Sequence, residues 1–186
     1  MSFYKTDFPG LLVYEPKVFE DDRGYFFESY NEKNFEVEGI SIKFVQDNQA
    51  RSTYGVIRGL HFQMNPHAQT KLVRVLSGMI RDIAVDVRHG SPTFGKVFSL
   101  DISAENKKQI LIPKGFAHGY SVLSETAEVF YKCDEFYNKS TEGGIIYKDS
   151  SLNIDWGIEK GKEIISEKDE LYPELKDCNN NFVFES

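Results

Sequence analysis

Leu72-Val73-Arg74-Val75-Leu76-Ser77-Gly78-Met79-Ile80-Arg81-Asp82-Ile83-Ala84-Val85-Asp86-Val87-Arg88 is the stretch that decides the fold class of this chain. Two short apolar runs rich in β-branched residues are separated by Ser77-Gly78, the punctuation of strands. Side chains alternate across a strand, so Met79, Arg81, Ile83, Val85 and Val87 share one face. Ile80, Asp82, Ala84, Asp86 and Arg88 share the other. One face is expected to meet the core and the other to be polar.

The same texture extends outward. Strands are expected over residues 43–48, 56–62, 72–76, 79–88, 97–102, 109–112, 119–123 and 127–133. That spacing suits a sandwich or barrel rather than alternating βα units. Residues 31–39, opened by Asn31 and closed by Gly39, read as a short helix, and a second is expected near residues 166–171. The segment 151–186 is polar, and its acids are expected to form a solvated surface. No repeat or linker divides the chain, so residues 1–186 are expected to form one domain with a barrel core over about 43–135.

Composition narrows the partners. A length of 186 residues with 40% hydrophobic content supports one sizeable core. The net charge of −7, without a basic block, argues against nucleic acid. Arg23, Arg58 and Lys71 still suit one small anionic ligand, since local potential in a cleft can oppose the net charge. Cys133 and Cys178 have no metal-ligand spacing and read as free thiols in a reducing cytoplasm. No apolar run is long enough to span a bilayer, so no membrane partner is expected.

Three clusters carry possible chemistry. In Gly55-Val56-Ile57-Arg58-Gly59-Leu60-His61-Phe62-Gln63, arginine and histidine stand three apart and therefore face opposite sides of a regular strand. A twist or bulge at Gly59 is required to turn both toward one cavity. Alone, this segment reads as a satisfied core histidine and a surface arginine. Lys71 opens an apolar strand, where a lysine ordinarily snorkels to water. Pointed inward, it would stabilise an oxygen that gains negative charge. Ile112-Pro113-Lys114-Gly115-Phe116-Ala117-His118-Gly119-Tyr120 reads by itself as a tight turn with a surface histidine.

Gly55-x5-His61 and Pro113-x-Gly115-x2-His118 resemble the two halves of the cupin signature. The resemblance implies a mainly β, cupin-type double-stranded β-helix, or jelly-roll barrel, with a few short peripheral helices. Metal-holding cupins have His-x-His followed by Glu, whereas this chain has His61-Phe62-Gln63, so neither a metal nor a cofactor is expected. More narrowly, the chain resembles the dTDP-4-dehydrorhamnose 3,5-epimerase family from about Phe8 to Asp169. The matching words are residues 22–28 (DRGYFFE), 44–48 (FVQDN), 58–63 (RGLHFQ), 71–75 (KLVRV), 86–88 (DVR), 91–95 (SPTFG), 113–119 (PKGFAHG), 131–133 (YKC) and Ser166-x-Lys168-Asp169. Gly157 follows Ile154-Asp155-Trp156 where the family generally has proline, so this loop is expected to differ.

The resemblance implies that His61 is the general base and Tyr131 the acid on the opposite face of the sugar. Asp169 then orients His61, and Lys71 stabilises the enolate oxygen. Arg23, Glu28, Gln46, Asn48, Arg58, His118, Glu142 and Lys168 fall where the family contacts its nucleotide sugar. The chemistry is self-consistent. A hydrogen beside a ketone leaves only if the resulting charge spreads onto the ketone oxygen, which calls for a base and a cation. Inversion also needs a proton from the opposite face, which a phenol can supply. Taken alone, Tyr131 would be a cross-strand aromatic of the barrel wall.

The implied activity inverts C3 and C5 of dTDP-4-dehydro-6-deoxy-D-glucose, in a cytoplasmic homodimer whose N-terminal segment, with Arg23 and Glu28, can complete the partner's site. Two rival readings use the same residues. One is a single-carbon epimerase or ketoisomerase of a related keto-sugar, and the other a sugar-binding cupin without catalysis.

Overall fold

The computed structural model describes residues 2–185; Met1 and Ser186, the two ends of the expected domain, lie outside the described residues. Thirteen strands follow in order: β1 (Ser2–Lys5), β2 (Leu12–Glu15), β3 (Phe19–Asp21), β4 (Gly24–Phe26), β5 (Gln46–Thr53), β6 (Ile57–Gln63), β7 (Lys71–Ser77), β8 (Met79–Asp86), β9 (Val97–Ser103), β10 (Gln109–Ile112), β11 (Phe116–Val122), β12 (Thr126–Cys133) and β13 (Glu142–Gly144). Helix α1 (Glu32–Val37) precedes β5, and α2 (Glu167–Glu170) lies near the C-terminus. One sheet has the order β1-β2-β10-β7-β12-β5, and a second β13-β6-β11-β8-β9; β3 and β4 pair alone. From β5 to β8, and again from β9 to β12, the chain alternates between the two large sheets, the jelly-roll winding of a cupin. No helix among the described residues is long and apolar enough to cross a membrane.

One half of the barrel interior is dry. Val73, Val75, Ile80, Ala84, Ile102, Ile110, Val122 and Val129 pack there between the two sheets. Each valine or isoleucine among them contributes about 1.5–3 kcal/mol when fully buried. The outer face of the first sheet is covered by α1, whose Phe35 packs on Tyr14, Leu72 and Leu111.

The outer face of the second sheet shows where the sequence reading needs correction. The acids of the C-terminal segment are exposed as expected, apart from Asp169, but between them the segment lays Leu152, Trp156 and Phe182 over Ile83, Val85 and Val87. Isolated apolar residues spaced along a polar stretch are enough to clamp it to a sheet. As a result β8 is buried on both faces, not on one. Its polar side points into the barrel, where Asp82 and Asp86 are 0% exposed and paired with His118 and Arg88. Gly157 sits at φ +67°, a conformation closed to proline, in the loop where Asp155 and Asp101 both hold Arg81.

Candidate active site

Register decides which side chains meet. Residues directly opposed on antiparallel strands point to the same side of a sheet. In the first sheet Tyr131 opposes Asn48 on β5 and Val73 on β7, while Cys133 opposes Gln46 and Lys71. Val73 is a core residue of the interior, so Tyr131, Asn48, Gln46 and Lys71 also face inward. In the second sheet His118 opposes both His61 on β6 and Ala84 on β8, another interior residue. Glu142 opposes Gln63 on the same inward side. The half of the barrel left free by the dry core is therefore walled by polar side chains. A cavity of about 310 Å³ is lined by Gln46, Asn48, His61, Lys71, Tyr131 and Glu142, among others. It adjoins a pocket of about 240 Å³ that adds Arg58, His118 and Tyr120 to His61, Lys71 and Tyr131.

The bulge required by the sequence is present. Between His118 and Tyr120 on β11 the pairing on β6 runs from His61 to Arg58, three residues against two. Gly59 makes it possible: its φ is +122°, and a Cβ there would lie 2.5 Å from Gly119 Cα. Arg58 and His61 thus reach the same interior, and Arg58 Nε donates to Ser52 Oγ at 3.0 Å across the opening.

His61 Nε2 lies 2.7 Å from Asp169 Oδ1, and the other Asp169 oxygen accepts the Gly59 N–H at 3.1 Å. The C-terminal segment reaches β6 through an Ile164–Val56 bridge, and Ser166 Oγ caps α2 by accepting the Asp169 N–H. Burial alone would raise the Asp169 carboxyl. Its bonds to His61 and to the Gly59 amide outweigh this and hold it below the usual aspartate range.

Burial pushes Lys71 below the usual lysine range, against the opposing pull of Cys133, Asp82 and Glu142. Burial, aided by Cys133 and Tyr120 and opposed by Arg58, pushes the Tyr131 phenol up to about 12. Glu142 pairs with Lys168 and accepts from the Tyr137 hydroxyl at 3.0 Å. His118, read alone as a turn residue on the surface, is 8% exposed inside β11 and bonded to Asp82 at 2.9 Å.

Two expected residues stand elsewhere. Arg23 is 90% exposed and paired with Asp21 on the β3–β4 hairpin, whose cleft shares no lining residue with the central cavity. Glu28 accepts from Asn31 and Asn34. Within one chain these two do not join His61. The sequence reading also passed over Gln63, Asp82 and Tyr137. The available signals were position i+2 from His61 for Gln63 and the polar side of β8 for Asp82. Both cysteines are free. Among the described residues no three His, Cys, Asp or Glu side chains converge as metal ligands would.

Comparison with known proteins places this architecture. The family model described as dTDP-4-dehydrorhamnose 3,5-epimerase matches residues 5–177. The chain is 52% identical over 170 residues to the dTDP-4-dehydrorhamnose 3,5-epimerase of Shigella flexneri, covering 91% of this chain and 93% of that one. It superposes with a TM-score of 0.91 on the crystal structure of dTDP-4-dehydrorhamnose 3,5-epimerase from Elizabethkingia anophelis, at 53% identity, covering 95% of this chain and 97% of the other. The TM-score is 0.90, at 45% identity and with 95% and 93% covered, for the dTDP-6-deoxy-D-glucose-3,5-epimerase of Legionella pneumophila in complex with dTDP-4-keto-L-rhamnose. A cupin barrel with a histidine and a tyrosine across its cavity, matched over nine-tenths of its length, belongs to the dTDP-4-dehydrorhamnose 3,5-epimerase family.

Proposed function

We propose that the chain is a cytoplasmic dTDP-4-dehydrorhamnose 3,5-epimerase, converting dTDP-4-dehydro-6-deoxy-D-glucose to dTDP-4-dehydro-L-rhamnose in dTDP-L-rhamnose biosynthesis. The observation that carries the reading is that one cavity between the sheets is lined by His61 from one sheet and by Tyr131 and Lys71 from the other. With Nε2 of His61 turned to Asp169, Nδ1 is the nitrogen left to take the proton beside the ketone. Asp169 favours the imidazolium that forms. Lys71 faces the ketone oxygen and stabilises the enolate more than the ketone, which is where a rate gain arises. Tyr131, its phenol protonated throughout the neutral range, donates to the opposite face of the ring. Repeating the cycle inverts the second carbon.

Arg58, His118, Gln46, Asn48, Glu142 and Lys168 surround this centre and bind the nucleotide sugar in the same proposal. Arginine forks suit the diphosphate. Arg23 and Glu28 serve the cavity of a second copy in a homodimer. What supports this is their distance from their own cavity and the exposed Phe19, Tyr25 and Phe26 on the same hairpin.

Incubation with the keto-sugar nucleotide in deuterated water tests the reading. Deuterium is expected at both C3 and C5 of the product. Label at one carbon would make the chain a single-carbon epimerase, and no label would make it a binding protein. With Tyr131→Phe, exchange into the substrate should persist while inversion falls by about 10²-fold or more. Unimpaired inversion by that variant would remove Tyr131 from the mechanism.

A further inference from the structure

One amide in the central cavity has no part in the chemistry above. Gln63 ends β6 two residues beyond His61, on the same inward face, and is 5% exposed. Its Oε1 accepts the Asn138 N–H at 2.7 Å and the Thr141 hydroxyl at 3.3 Å. The Asn138 donor is a backbone amide, so the orientation of the carboxamide is decided: oxygen toward the 138–141 turn, nitrogen away from it. That nitrogen is buried and has no hydrogen-bond partner among the described residues. Buried donors are seldom left so, and this one belongs to a residue that lines the cavity beside His61, Tyr131 and Glu142.

Position along the strand indicates the acceptor. Two residues of a strand advance about 6.6 Å, roughly the breadth of a pyranose ring. With the keto-sugar held between His61 and Tyr131, Gln63 stands beyond the ring, beside the group attached to it. Glu142, opposed to Gln63 across β13 and β6, is paired with Lys168, whose charge offsets its repulsion of an anion there. We propose that Gln63 Nε2 binds the diphosphate that joins sugar to nucleoside, donating to one of its non-bridging oxygens. The inference rests on the epimerase reading of the cavity.

Calorimetric titration with dTDP, on the intact protein and two variants, tests it. Gln63→Glu keeps an acceptor for Asn138 and Thr141 but replaces the donor; Gln63→Met removes the donor without adding charge. The dissociation constant is expected to rise about tenfold or more in the first and about threefold to tenfold in the second. Affinities are referred to the folded fraction read from melting curves, and KM for the keto-sugar nucleotide should rise with kcat little changed. Unchanged affinity in both variants overturns the inference, and so does weakening in the glutamate variant alone, which charge repulsion explains. An unaltered protein that binds no dTDP, or incorporates no deuterium at C3 or C5, would instead sink the epimerase reading. Failure confined to the variants leaves that reading standing.

Discussion

The barrel contains two histidine–aspartate pairs whose imidazoles are direct neighbours across β6 and β11, and they are built for different ends. His61 keeps 31% of its side chain open to the cavity, and Asp169 behind it has both oxygens engaged. His118 keeps 8% and Asp82 none, and one Asp82 oxygen is buried without a partner among the described residues. An imidazole that must take up and release a proton needs access on one side and a fully satisfied carboxylate on the other. A pair buried on all sides is instead costly to break, because removing either member strands the other in a poorly solvated interior. In the proposed mechanism His61 and Asp169 are the working pair and His118 and Asp82 the holding pair, set apart by exposure and by how fully the carboxylate is satisfied.

Substitution should separate the two. His61→Gln leaves an amide to engage Asp169 but no base, so kcat should fall by about 10²–10⁴-fold with the melting temperature little changed. Steady-state kinetics alongside thermal unfolding reads both quantities. Asp82→Ala should do the reverse, lowering stability by about 3 kcal/mol, or roughly 6–12 °C in melting temperature, with a smaller loss of kcat per folded molecule. A variant at Asp82 that melts normally but has lost as much kcat as His61→Gln would erase the distinction.

Of the strands that wall the working half of the barrel, β6, β7 and β12 form within one residue of the expected bounds, whereas β5 and β11 do not. Strands were expected where apolar residues alternate, and β7 to β10 form close to those bounds. β5 was expected over 43–48 but forms at Gln46–Thr53, because inward residues such as Gln46 and Asn48 are polar and carry no apolar signature. β11 starts at Phe116, inside what reads as a turn, since Gly119 permits close approach to Arg58 and Gly59 of β6 while Gly115 leaves room for the Arg88 side chain. β1 and β2, four residues each, lie outside the expected core yet extend the first sheet. Asp169 reaches His61 across 108 residues, and Tyr131 meets Asn48 and Lys71 only through strand register. Such pairings are long-range, so the family words, not periodicity, brought these residues together. For Arg23 and Glu28 the same words point to a site that one chain does not assemble.

The finest probe of the working pair is Asp169→Asn, which preserves shape and the acceptor for the Gly59 N–H while removing the charge opposite His61. A loss of about tenfold to hundredfold in kcat is expected, less than for His61→Gln because the base remains. The stability consequence has a definite sign. Asp169 in the folded protein holds its proton more weakly than an unfolded aspartate, near 3.9, does. Its contribution is therefore in place above that unfolded value and is lost as the pH falls through the lower, folded value. A hydrogen bond to a charged group is worth about 1.5–3 kcal/mol, or roughly 3–12 °C in melting temperature for a chain of this length. Parent and Asp169→Asn should differ by that order at neutral pH, and their melting curves should converge as the pH is lowered below about 4. A gap that stayed constant from pH 7 to pH 3 would show that the carboxylate charge contributes nothing to holding α2 against β6. His61 would then be oriented by packing alone.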